Sequence, residues 1–237
     1  MYAAAAVLFA GACLQGLSGF GYSLFSLPLL VLMMPASSAV PVLSVTSVFL
    51  NLLVLLRTRR HLDLWWMAPL LMSGAAGIPL GVWVLSSADP GTMRVTIGAI
   101  VALASTAMLL GIRVTLAREK LAMVAAGLLS GAMNGATTFS GPPVILFLAN
   151  QRVRRHRFRG SLAAYFLVLN ILAVPAFAAS GLLTASVGLG ALRAFPAVAA
   201  GAMLGIWLGG RVSERLFGIL ALLAVGLLGV LSMLSAL

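Results

Sequence analysis

Two glycine-rich stretches stand out because an apolar chain has little reason to carry them. One reads Gly16-Leu-Ser18-Gly19-Phe-Gly21-Tyr22-Ser23, the other Asn134-Gly135-Ala-Thr137-Thr138-Phe-Ser140-Gly141-Pro142-Pro143. Glycine lets the backbone turn at any φ and lets a ligand come close to it. Proline suits the first turn of a helix, where no amide hydrogen is needed, so Pro28, Pro142 and Pro143 mark the expected starts of second half-helices. A half-helix that begins at such a break directs unpaired N–H groups and a partial positive charge toward it. That arrangement holds an anion without any formal charge. The side chains of Ser18, Tyr22, Ser23, Asn134, Thr137, Thr138 and Ser140 add hydrogen-bonding groups. The competing reading is that these small residues only let helices pack closely. Asn51 and Asn170 lie deep in apolar segments, where an amide either donates to an oxyanion or holds two helices in register.

Other chemistries fare worse. Gly16-Leu-Ser18-Gly19 matches the GxSG nucleophile motif of intramembrane serine proteases, yet a serine nucleophile needs a base within hydrogen-bond reach. The only histidines, His61 and His156, sit among arginines in basic clusters. Those two, Cys13 and the four acids Asp63, Asp89, Glu119 and Glu214 make no usual metal constellation. No cofactor or metal is expected, and one cysteine allows no internal disulfide. Every acid falls at the end of an apolar segment, so coupling through a carboxylate at membrane depth is disfavoured.

These residues sit in a chain of 237, of which 62% are hydrophobic and 8% charged. A soluble domain carries about a quarter charged residues, so the natural solvent for this surface is lipid. The net charge of +11 is not read as a nucleic-acid signature, because the basic residues cluster between apolar segments. There they follow the positive-inside rule and contact anionic lipid headgroups. Trp65 and Trp66 read as interfacial anchors. No basic n-region opens the chain, so no cleaved signal peptide is expected.

Hydropathy gives eight apolar segments, approximately Ala3–Met34, Ser38–Leu56, Leu64–Ser86, Thr92–Ile112, Leu121–Ala149, Ser161–Ser180, Ala194–Gly210 and Leu216–Leu234. The first and fifth overshoot the roughly 20 residues that cross a bilayer core, and they contain the two glycine-rich stretches. If all eight cross, the basic residues divide almost evenly between the two sides. If the first and fifth dip in and return, all of them except Arg94 and Arg193 fall on one side. The expectation is six full spans, two re-entrant hairpins and both termini outside a bacterial-type inner membrane. Eight full spans with long, broken helices is the alternative.

The halves 1–116 and 117–237 also look alike. Gly16 and Gly131 each precede a proline, Pro28 or Pro143, by twelve residues. The next span holds one asparagine in each half, Asn51 or Asn170, and a further span carries Gly77-Ile-Pro-Leu-Gly81 or Gly205-Ile-Trp-Leu-Gly209. Three spans per unit is odd, so the copies point in opposite directions. Inverted repeats of this kind are a signature of secondary transporters.

The Gly-x-x-Gly-x-Gly run before Pro28, the Gly-Pro-Pro143 ending, the Arg-Arg-His-Leu-Asp63 loop and the Gly-Ile-x-x-Gly pairs resemble the sulfite exporter TauE/SafE family. The resemblance covers essentially the whole chain. It implies carriage of a sulfur-containing anion such as sulfite, thiosulfate or a sulfonate, often outward, with the substrate against Gly16–Ser23 and Asn134–Pro143. Phe20, Tyr22 and the Ala-Thr-Thr-Phe run depart from the family's consecutive glycines, and such bulky walls suggest an organosulfonate. The expected partners are the small anion and membrane lipid, with no nucleic acid, and a homodimer is compatible. The expected protein is thus an all-α integral membrane carrier with alternating access, against a passive anion channel or a structural membrane subunit.

Overall fold

The computed structural model describes residues 2–58, 67–110, 119–150, 155–209, 222–223 and 226–230. The helices are α1 (Tyr2–Ser18), α2 (Tyr22–Leu30), α3 (Ala36–Thr58), α4 (Ala68–Ser87), α5 (Pro90–Leu109), α6 (Glu119–Thr137), α7 (Gly141–Asn150), α8 (Arg155–Ala179) and α9 (Ala185–Leu208). Among the described residues there is no strand. Five helices, α3, α4, α5, α8 and α9, are long and apolar enough to cross a membrane. Large apolar side chains such as Met72, Trp83, Leu103, Met203 and Trp207 lie exposed on their outer faces, as lipid-facing residues do. Expectations placed on Arg59, Arg60, His61, Asp63, Trp65, Trp66, Arg113, Arg118, Arg211, Glu214 and Arg215 lie outside the described residues. So does most of the segment Leu216–Leu234.

Local signals set the helix ends. Asp89 caps α5 by accepting from Thr92 N at 2.8 Å, and Pro90 fills the first helical position without wasting a donor. Thr184 caps α9 through Val187 N at 3.4 Å. That cap starts α9 nine residues before the expected Ala194, so Arg193, expected beyond the span, lies within the helix.

The first and fifth apolar segments are each divided. α1 stops at Ser18 and the chain folds back, so that Ser26 Oγ of α2 donates to Val7 O at 3.4 Å and Gly11 faces the Tyr22 backbone. Likewise Ser130 Oγ of α6 donates to Ser140 O at 2.7 Å, just before α7. Both stretches are therefore bent hairpins. With 17 residues α1 reaches about 25 Å, and the nine residues of α2 about half that.

Each hairpin lies along a long helix from the other half of the chain. On α9, Gly201 abuts Phe9 O and Gly205 abuts Cys13 O of α1. On α4, Gly74 abuts Gly131, and Gly81 abuts the Ala132 and Ala136 backbone of α6. Numbers rise together along both seams, so each pair runs parallel. Added Cβ atoms would collide with backbone there, which is why these positions are glycine. The contacts correct one expectation: the counterpart of Gly77/Gly81 is Gly201/Gly205, one turn before Gly205/Gly209. A glycine face repeats every four residues, so a slip of one turn leaves the pattern unchanged. At the centre α3 packs on α8, joined by Ser44 Oγ donating to Asn170 Oδ1 at 3.0 Å.

Candidate functional site

At the first break the αL residues Gly19 (φ 88°) and Gly21 (φ 104°) turn the chain. Gly19 N bonds Gln15 O at 2.7 Å, closing α1. At the second break Thr138 N bonds Asn134 O at 2.7 Å in the same way. Here, however, the left-handed residue is Thr138 (φ 53°), a β-branched residue for which that conformation costs about 1–2 kcal/mol. The hydroxyls just before each turn play matching parts. Ser18 Oγ reaches Leu14 O at 2.8 Å and Thr137 Oγ1 reaches Met133 O at 2.7 Å. Each also accepts from the amide two residues on, Phe20 N or Phe139 N. Ser18 and Thr137 therefore finish helix ends.

These matches put Gly16 opposite Gly135, not Gly131, the same one-turn slip. Gly16 abuts Ala202 O on α9 and Gly135 abuts Ile78 O on α4, so both are packing positions away from the turn. Pro28 is also corrected. It lies inside α2, whose first residue is Tyr22, because the positive-φ Gly21 ends the turn and the helix starts at once. Pro142 and Pro143 do occupy the first turn of α7.

The two breaks meet at one cavity of about 30 Å³, room for about two water molecules. Of the expected site residues, Gly21, Tyr22, Ser23, Asn51, Thr138, Ser140, Gly141 and Asn170 line it. Gly16, Ser18, Gly19, Asn134, Gly135 and Thr137 do not. Phe20 and Phe139, read from the sequence as bulky walls, line it too, as do Gln15, Leu24, Ser47 and Phe166, which sequence reasoning missed. Gln15 had a readable signal, an amide inside an apolar segment one turn before the break. Its Nε2 donates to Asn51 Oδ1 at 2.8 Å and its Oε1 accepts from Tyr22 N at 3.3 Å, which ties α1, α2 and α3 together.

Donors converge on this space, and no charged side chain is among its lining. Phe25 N bonds Gly21 O at 3.0 Å, so the Ser23 and Leu24 amides occupy the open first turn of α2. Asn51 and Asn170 each spend one Nδ2 hydrogen on a carbonyl one turn back, Ser47 O at 2.8 Å and Phe166 O at 2.7 Å. A second hydrogen remains on each amide. The α7 start contributes less than expected. Two of its first three residues are prolines, leaving Gly141 as the amide donor there. Three phenylalanines, Phe20, Phe139 and Phe166, are part of the lining, and such apolar walls strengthen the dipoles beside them.

Asn134 differs from its counterpart Gln15. One methylene shorter, it reaches only Ser140 Oγ at 3.4 Å, and its buried Oδ1 meets no hydrogen-bond partner. The first break is thus braced by an amide side chain, whereas the second is tied mainly through Ser130 Oγ and Ser140 O.

Comparison with curated proteins and with solved structures returns no match. A family model does match, over residues 3–232, and its description is sulfite exporter TauE/SafE. With the match running through both hairpins and every described span, the chain belongs to the sulfite exporter TauE/SafE family of membrane transporters.

Proposed function

We propose that this protein carries a compact oxyanion of the sulfite or thiosulfate class across the membrane by alternating access, probing outward export first. The observation that carries the reading is the meeting of both helix breaks at one small, uncharged cavity rich in N–H donors. Ser23 and Leu24 amides, with the spare hydrogens of Asn51 and Asn170, replace the water around the anion. The volume of about 30 Å³ favours a compact ion over the organosulfonate that the bulky sequence suggested.

The proposed frame is two inverted repeats with re-entrant hairpins. Supporting it, α1 packs parallel to α9 as α6 packs parallel to α4, which is the exchange that such a symmetry produces. In that frame all basic residues but Arg94 and Arg193 face the cytoplasm of a bacterial-type inner membrane, and both termini lie outside.

The test is flux of sulfite and thiosulfate in proteoliposomes of purified protein, with the Asn51→Leu/Asn170→Leu double variant beside it. Wild-type flux with trans-stimulation, lost in the variant, supports a carrier. Flux without trans-stimulation replaces it with a passive facilitator. Equal flux in the folded double variant removes the site.

A further inference from the structure

We propose that Thr138 is the specificity-determining residue that sets how large an anion the cavity admits; this rests on the transport reading above. The two breaks begin alike, with one left-handed residue after the helix end, although only the first adds another, Gly21. At the first break that residue is Gly19, which is not among the cavity's lining. At the second break the corresponding residue is Thr138, and it does line the cavity. The position that is glycine at the first break thus carries a side chain at the second, beside the cavity.

Its retention in this conformation is informative. Glycine occupies a left-handed turn freely, whereas a β-branched residue there is a steric outlier. Thr138 is nonetheless 5% exposed, with its hydroxyl donating to Thr137 O at 2.6 Å. That contact, to the carbonyl of the preceding residue, is local and joins no other element. A strained residue at a ligand cavity points to a functional constraint, and in a cavity of about 30 Å³ the constraint is volume. The donors named above lie on other elements, α2, α3 and α8. Thr138 therefore acts as the wall that an anion must clear while those elements hold it.

The experiment measures competition by methanesulfonate and taurine against sulfite flux in proteoliposomes of wild type, Thr138→Gly, Thr138→Ser and Thr138→Asn. Glycine is expected to improve the larger anions by about tenfold or more relative to sulfite, the scale of one methylene in a tight pocket. Serine is expected to fall between, and asparagine, which tolerates the left-handed turn and restores bulk, to resemble the wild type. Thermal stability of Thr138→Gly should equal or exceed the wild type. If discrimination does not follow side-chain volume across the variants that fold, Thr138 is not the selecting residue. Absence of sulfite and thiosulfate flux in the wild type itself would instead remove the transport reading, and this inference with it.

Discussion

Replacing Gln15 by glutamate tests whether the anion sits where the helix breaks meet. The two side chains have nearly the same shape, and Gln15 both lines the cavity and binds Asn51 and Tyr22 N. An ion in a space this small would lie about 5 Å from the new carboxylate. At an effective dielectric of about 20, a carboxylate and a dianion at that distance repel by about 6–7 kcal/mol, or about five orders of magnitude in affinity. Gln15→Leu, by contrast, removes the same two hydrogen bonds without adding charge. Buried bonds of this kind contribute about 0.6–1.5 kcal/mol each, so that variant should lose thermal stability and only modest affinity. The assay is thiosulfate binding by isothermal titration in detergent, since thiosulfate stays a dianion across the range studied. Gln15→Glu should bind weakly near about pH 8 and recover toward about pH 5 as the carboxyl takes up its proton, while Gln15→Leu shows no such recovery. Wild-type affinity for folded Gln15→Glu at the higher pH would refute the placement of the anion.

Three further outcomes are expected. Gly131→Leu would drive a side chain into the Gly74 carbonyl and should abolish a monodisperse peak in fluorescence-detected size-exclusion chromatography. Gly188→Ala, with open space around it, should fold normally and gain up to about 1 kcal/mol from helix propensity. The Asp89 carboxyl is held below its ordinary value by hydrogen bonds from the Thr92 hydroxyl and amide. A lowered value in the folded state gives stability that is present above the ordinary carboxylate range and is lost on acidification. Thermal melts should therefore show Asp89→Ala less stable than wild type at neutral pH and the difference vanishing in acid.

Much of the architecture was legible in the sequence because lipid imposes a coarse grammar. Apolar length marked the spans, and glycine with proline inside overlong segments marked both places where the chain turns back. Asn51 and Asn170 were visible as amides in apolar surroundings, and both line the cavity. Register was the weak point. Gly127, Gly131 and Gly135 recur at one-turn intervals on a packing face, so neither Gly16 nor Gly205 could be aligned from glycine alone. The division of labour was also hidden. Ser18 and Thr137 look like ligands in sequence, but a hydroxyl at a helix end has a carbonyl one turn back within reach. Pro28 resembled a helix start because the positive-φ turn at Gly21, several residues earlier, leaves no mark other than glycine. Gln15 was overlooked because attention fell on the break and not on the turn that precedes it.

The glycine seams have a consequence for how the molecule can be divided. α1 is pressed backbone to backbone on α9, and α6 on α4, with no side chains between to yield. A cut in the middle of the chain would part each hairpin from the long helix it lies along. During synthesis the α4–α6 seam can close as soon as α6 is made, whereas α1 must wait for α9.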